Sequence, residues 1–362
     1  MTIEARHWVN TAIQKIEADF KRSADTHLIK LDIPSVPNID LYFKDESTHP
    51  SGSLKHRLAR SLFLYGLCNG WIKEGTPIIE ASSGSTAISE AYFARLLGLP
   101  FIAVIPKTTA PQKIAQIEFY GGQCHLVSPD LIYAESERLA QELNGHYMDQ
   151  FTFAERVTDW RGNNNIADSI FRQMSAERYP VPNWIVVSAG TGGTSATIGR
   201  YIRYHPQRHH NTQLAVVDPE HSVFIDYFNS GDSSLTSHQC SRIEGIGRPR
   251  VEPSFIATVV DRMQRIPDAA SFASIHFLEK ILGRKLGGST GTNFYGTLQI
   301  ISEMQQRGVH GSIVTLICDS GDRYLNTYYN DQWLKDQQFN LAPYTQALES
   351  FWDTGYLPNI LQ

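Results

Sequence analysis

Residues 49–57 read His-Pro-Ser-Gly-Ser-Leu-Lys-His-Arg. Pro50 and Gly52 mark a tight turn, Ser51 and Ser53 are residues of the type that cap helices, and Leu54 to Gly66 has helical patterning. Lys55 is therefore expected on the first turn of a helix, where the positive end of the helix dipole and the neighbouring Arg57 both favour its neutral amine. A neutral amine is a nucleophile. It can form an imine with an aldehyde cofactor such as pyridoxal phosphate (PLP). Taken alone, the nonamer reads first as a solvated lysine at a helix start.

Three small-residue turns add to it: Ser82 to Thr86 (SSGST), Ala189 to Thr194 (AGTGGT) and Gly287 to Thr292 (GGSTGT). Each follows a strand or loop and opens a helix, the arrangement in which backbone amides bind an anion, and open α/β sheets place ligands at the carboxyl ends of their strands. Gly190, Thr191, Gly192, Gly193 and Thr194 make the best phosphate cradle, because consecutive glycines let the main chain approach the oxygens. Any one such turn is also an ordinary strand-to-helix connection. His205, His209 and His210 lie at a polar helix end without an acidic or cysteine partner at ligand spacing and read as solvated, so no metal site is expected. Asp218 to His221 (DPEH) reads as a structural turn after a strand.

The elements that must position these residues follow from periodicity. Short apolar runs at 76–81 (TPIIEA), 100–106 (PFIAVIP) and 124–127 (CHLV) alternate with helical stretches at 87–98, 111–120 and 131–143, closed by glycine or asparagine. A second alternation begins at 184–190 (WIVVSAG) and continues through a helix, the strand 213–219 (QLAVVDP), a helix over 268–282, a further helix to about Arg307 and a last strand from Ser312. Strands alternating with helices predict parallel sheets covered by helices. A candidate helix covers Ile166 to Arg178. The segment with Trp333, Phe351 and Trp352 is predicted to be helical, packing on the body or on a second subunit.

Composition narrows the class. The 362 residues are 41% hydrophobic and 19% charged, with a net charge of −5, which suits a globular chain of about two domains and argues against nucleic-acid or anionic-membrane partners. Met1 to Phe20 reads as an amphipathic helix with Trp8, Ile13 and Ile16 on its apolar side, unlike a secretory signal. No apolar run is long enough to span a membrane. Cys68, Cys124, Cys240 and Cys318 are far apart and read as reduced thiols of a cytoplasmic protein.

With these motifs in order, the sequence resembles the fold-type II PLP enzymes of the cysteine synthase and cystathionine β-synthase family over about residues 25–330. HPSGSLKHR resembles the family's NPTGSxKDR, which implies that Lys55 is the Schiff-base lysine. EASSGST (80–86) resembles EPTSGNT, implying that Ser82, Ser83, Gly84 and Thr86 bind the substrate carboxylate. DQF (149–151) implies the same for Gln150. GTGGT is identical to the phosphate loop, GGSTG (287–291) implies that Ser289 meets the pyridine nitrogen, and DSGDRYLNT (319–327) is similar to DSGERYLST.

The departures are specific. His56 replaces the usual aspartate, Ser85 replaces the asparagine that contacts the cofactor's ring oxygen, His27 stands for a proline, and GIGRPR brings Arg248 and Arg250 near the family's active-site entrance. These variants look most similar to the bacterial L-cysteine desulfhydrase branch. The resemblance implies an α/β fold of two parallel-sheet domains, with 1–40 and 151–362 in the large cofactor-binding domain and 41–150 as the small domain with the carboxylate loop. It implies PLP as cofactor, a homodimer, and β-elimination of L-cysteine to sulfide, pyruvate and ammonium. The alternatives are β-replacement on an activated serine, or a member that binds PLP or a partner without catalysis.

Overall fold

The computed structural model describes residues 2–22, 25–162, 165–206 and 211–360. In chain order the elements are α1 (Ile3–Arg22), β1 (His27–Leu31), β2 (Ile39–Asp45), α2 (Lys55–Cys68), β3 (Ile78–Glu80), α3 (Ser85–Leu97), β4 (Phe101–Pro106), α4 (Pro111–Phe119), β5 (Gln123–Val127), α5 (Ile132–Glu142), β6 (His146–Tyr147), α6 (Gln150–Val157) and α7 (Ile166–Met174). There follow β7 (Trp184–Ser188), α8 (Gly193–Tyr204), β8 (Gln213–Pro219), α9 (Phe224–Ser230), β9 (Arg262–Ile266), α10 (Asp268–Leu282), α11 (Gly288–Gln306), β10 (Gly311–Ile317), α12 (Asp331–Asp336) and α13 (Ala342–Thr354). The predicted α/β alternation is present, and helices stop where the punctuation residues stand, as at Gly98 and Gly283, both left-handed.

The chain divides into two units, Met1–Asp25 with His49–Thr158, and Thr26–Thr48 with Asp159–Gln362. This moves both expected boundaries. The amphipathic α1 belongs to the first unit, not with the large domain: its Val9, Ala12 and Ile16 join Phe63, Phe93 and Phe101 in one core, and Glu17 pairs with Arg60 of α2 at 2.9 Å. Residues 41–48 belong to the second unit, because β2 hydrogen-bonds along its length to β10.

The first unit holds a parallel sheet in the order β5-β4-β3-β6. The second holds a sheet in the order β1-β2-β10-β7-β8-β9, parallel except for β1, which pairs antiparallel with β2 at the edge. That edge departs from the all-parallel expectation, since the short connection from Leu31 to Ile39 is too brief for a crossover helix. β10 is buried along its whole length, as its continuous apolar run requires of a strand covered on both faces. Trp333, Phe351 and Trp352 pack into or against this unit's core, meeting the expectation that the last helices lie on the body. The predicted helix over Ile166–Arg178 ends early, at Met174.

Candidate active site

In the first unit the nonamer forms the predicted turn: the Gly52 amide donates to the His49 carbonyl at 2.7 Å, with Gly52 at φ 75°. Lys55 is half-buried and is the first residue of α2. No serine side chain caps this helix, which corrects the capping expectation. Ser51 is instead buried against α3, its hydroxyl 3.0 Å from His56 Nδ1 and 2.8 Å from Ser89 Oγ. His56, the residue that departs from the family motif, lies inside an aromatic group with His49, Tyr92 and Phe93, so it ties the lysine turn to α3. Arg57 is held by Asp25 at 3.1 Å with both side chains largely buried. Its charge is directed at Asp25, and Lys55 stands at the helix start.

The SSGST turn leaves the carboxyl end of β3, and Gly84 caps α3 without any side-chain bond. A Cβ built on Gly84 would meet nothing within 4 Å, so the turn opens on free space. Ser82 and Ser83 stand half-buried on this turn, Ser82 Oγ accepting from the Gly84 amide at 3.3 Å. Gln150, read from DQF alone, opens α6 after Asp149, which is left-handed at φ 46° and caps the helix through Thr152. Thr86 Oγ1 donates to Gln150 Oε1 at 2.7 Å, both residues being buried. Two expected carboxylate contacts, Thr86 and Gln150, are thus joined directly, and the side-chain Nε2 of Gln150 makes no hydrogen bond to another described residue. An amide donor held by its own acceptor end suits an anionic ligand. Sequence reading missed Glu80, the fully buried hub of this group: its Oε1 accepts from the Ala81 amide at 2.7 Å and its Oε2 from the Gln150 amide at 3.2 Å.

In the second unit, Gly190 to Thr194 leaves β7 and opens α8, whose cap is Gly192 at φ 90°, again without a side-chain bond. Two backbone segments wall it. A Cβ on Gly190 would lie 2.1 Å from the Gly245 carbonyl, and one on Gly192 would lie 2.5 Å from Phe255 Cα. The GIGRPR stretch is therefore a structural wall of the Gly190–Thr194 turn, with the Gly247 amide donating to the Ala189 carbonyl at 2.8 Å. Arg248 and Arg250 both donate to Oε1 of the buried Glu252, at 2.7 and 3.2 Å, which anchors them. Thr191 Oγ1 accepts from the Gly193 amide, while the Thr194 hydroxyl makes no hydrogen bond to another described residue. Ser289, on the first turn of α11, is buried and likewise has no hydrogen bond to another described residue, whereas Thr290 and Thr292 beside it are engaged. The late motif explains itself here: the Asp319 carbonyl accepts from the Gly287 amide and its carboxylate from the Tyr324 hydroxyl at 2.6 Å, fixing the turn that carries Ser289.

These residues fit pyridoxal phosphate. They supply an amine at a helix start, an uncapped glycine turn at a second helix start for a dianion, and a neutral hydroxyl at a third. No group of histidine, cysteine, aspartate and glutamate side chains among the described residues has metal-binding geometry. His209 and His210 lie outside the described residues. No helix among the described residues is long and apolar enough to cross a membrane.

A family model described as pyridoxal-phosphate dependent enzyme matches residues 22–319. The chain belongs to this family. Pyridoxal phosphate is accordingly its cofactor. Among relatives of this pyridoxal-phosphate dependent enzyme, L-cysteine desulfhydrase Cds1 of Mycobacterium tuberculosis is 58% identical over 352 residues, 96% of this chain and 95% of the relative. A cysteine synthase of Dictyostelium discoideum is 27% identical, covering 88% of this chain and 85% of its own. Among solved structures, that of O-ureido-L-serine synthase superposes with a TM-score of 0.72 over 90% of this chain and 98% of its own, at 21% identity, which marks a shared fold.

Proposed function

We infer that this protein is a PLP-dependent L-cysteine desulfhydrase, a carbon–sulfur lyase releasing sulfide, pyruvate and ammonium. The observation that carries this reading is the 58% identity, over nearly the full length of both chains, to a protein of that activity. The bound cofactor supplies an aldehyde that captures an amine and an electron-withdrawing ring that acidifies the carbon bearing it. Lys55 Nζ would anchor the cofactor, and its amine, when not so engaged, would take the Cα proton of the substrate as general base. Ser82, Ser83, Gly84, Thr86 and Gln150 hold the substrate carboxylate and so align the Cα–H bond. Gly190, Thr191, Gly192, Gly193 and Thr194 would hold the phosphate, and Ser85 would help to hold the ring. Ser289 offers the pyridine nitrogen a neutral hydroxyl in place of an acid, which favours direct loss of the β substituent over chemistry that needs a long-lived carbanion.

The small domain with the carboxylate loop corresponds in this reading to the first unit and the cofactor-binding domain to the second. The protein works as a cytoplasmic homodimer. The deciding experiment supplies the purified, PLP-loaded protein with L-cysteine alone. Sulfide and pyruvate in equal amounts are expected. Turnover only when O-acetylserine and a thiol are both present would assign β-replacement instead.

A further inference from the structure

The carboxylate-binding residues are held from below by a pair of acids that none of the reacting groups touches. Glu80 ends β3 and Glu90 lies on α3, both with no solvent exposure. Glu80 uses its two oxygens for the amides of Ala81, which begins the SSGST turn, and of Gln150, which begins α6. Gln150 in turn receives the Thr86 hydroxyl. One carboxylate therefore fixes the backbone at both ends of the substrate-carboxylate site. Neither Glu90 oxygen finds a hydrogen-bond donor among the described residues, and the Glu80 charge acts on Glu90 directly.

The groups acting on Glu80 are the Ala81 and Gln150 amides, Glu90 and Asp149, while Tyr147 beside it feels its charge in return; no cation is among them. Two carboxylates buried together without a cation cannot both ionise. Burial pushes the Glu80 carboxyl up while its two amide bonds pull it down, and burial with the Glu80 charge pushes Glu90 well above the usual range. The location of the single charge follows from the donors. Glu80 faces two N–H groups, whose bonds strengthen when it is ionised, whereas Glu90 faces only an acceptor. The proton belongs on Glu90.

We propose that Glu80 is a positioning residue for the substrate carboxylate, setting the SSGST turn and Gln150 through its two amide bonds, and that Glu90 carries the proton that lets Glu80 keep its charge. This deepens the carboxylate assignment above and rests on it. Loss of the Glu90 proton at alkaline pH would place two charges together and loosen the turn.

The test uses L-alanine, which has the same α-amino acid head but no β leaving group, titrated against the PLP-loaded enzyme and followed by the cofactor absorbance. Glu80→Gln turns an amide donor towards a backbone donor, so L-alanine affinity should fall about tenfold and the KM for L-cysteine rise similarly, with kcat changed less than threefold. In the cofactor-free protein the amides of residues 81–86 and 150 should exchange hydrogen faster. Glu90→Gln cannot ionise, and it should lack the extra fall in L-alanine affinity that the wild type shows as the pH is raised from neutral into the alkaline range. Wild-type affinity and exchange in a PLP-loaded Glu80→Gln would overturn the proposal. Should that variant not fold, superimposable pH profiles for wild type and Glu90→Gln would do the same. A wild type whose absorbance ignores L-alanine and which yields no pyruvate from cysteine would overturn the desulfhydrase reading and this proposal with it. A responsive wild type with an indifferent Glu80→Gln overturns the proposal alone.

Discussion

Adding a single methyl group at Gly192 tests the phosphate loop. At φ 90° an alanine pays the left-handed cost of about 1–2 kcal/mol that any L-residue meets there. Its Cβ would also lie 2.5 Å from Phe255 Cα, 2.6 Å from the Ser254 carbonyl and 2.9 Å from the Phe255 nitrogen. All three are backbone atoms and cannot rotate aside, so the loop or its wall must shift, adding about 1–3 kcal/mol by the usual cost of overpacking. Gly283, the left-handed cap of α10 at φ 68°, has nothing within 4 Å of its Cβ position and isolates the conformational part. Gly192→Ala should therefore destabilise the cofactor-free protein by about 2–5 kcal/mol against about 1–2 kcal/mol for Gly283→Ala, read from urea unfolding. Displaced amides at the α8 start should also raise the PLP dissociation constant at least tenfold in the first variant only. Equal losses of stability in the two variants, with wild-type PLP affinity in both, would refute the reasoning.

Lys55→Ala should abolish both the visible absorption of protein-bound PLP and cysteine turnover, and borohydride reduction with peptide mapping should label Lys55; a label on another lysine would break the assignment. Ser85→Asn should restore a direct contact to the cofactor ring and raise the ratio of β-replacement product to pyruvate, with excess thiol present, by a few-fold to about tenfold, the effect of one hydrogen bond of about 0.5–1.5 kcal/mol. Asp218, buried with one oxygen on the Ile225 amide at 3.0 Å, has its carboxyl pushed up to about 6 by burial. The folded state then holds a proton that the unfolded chain has released, so this group's contribution to stability falls as pH rises from about 4 to 6, by roughly 2–4 kcal/mol. Asp218→Asn should remove that fall, measured as urea midpoints across the range.

Much of the site was legible because its residues act through local backbone. GTGGT and SSGST follow a strand and GGSTG a loop, and each opens a helix within a few residues, so their runs of small residues announce themselves. What sequence could not deliver depends on partners distant in the chain. β9 was missed because Arg262, Gln264 and Arg265 interrupt any apolar run, while its pairing with β8 carries the strand. The Ser51 hydroxyl was read as a cap when it is turned towards α3, and α1 was assigned to the wrong unit because only the core it fills reveals its place. Glu80 looked like the last residue of a short strand. Its role needs Gln150 and Glu90, which no local pattern links to it.

The crossing of the chain between the two units dictates an order of assembly during synthesis. The first unit needs nothing beyond Thr158 and can close as soon as that residue leaves the ribosome, but β1 and β2 are made early and belong elsewhere. The central neighbour of β2 is β10, which begins only at Gly311. For most of translation β2 is thus an apolar strand without its partner, flanked by a finished unit and a lengthening tail, the situation in which edge-to-edge misassociation competes with folding. A nascent chain stalled shortly before Gly311 should be a chaperone client, and the chain released at full length should not.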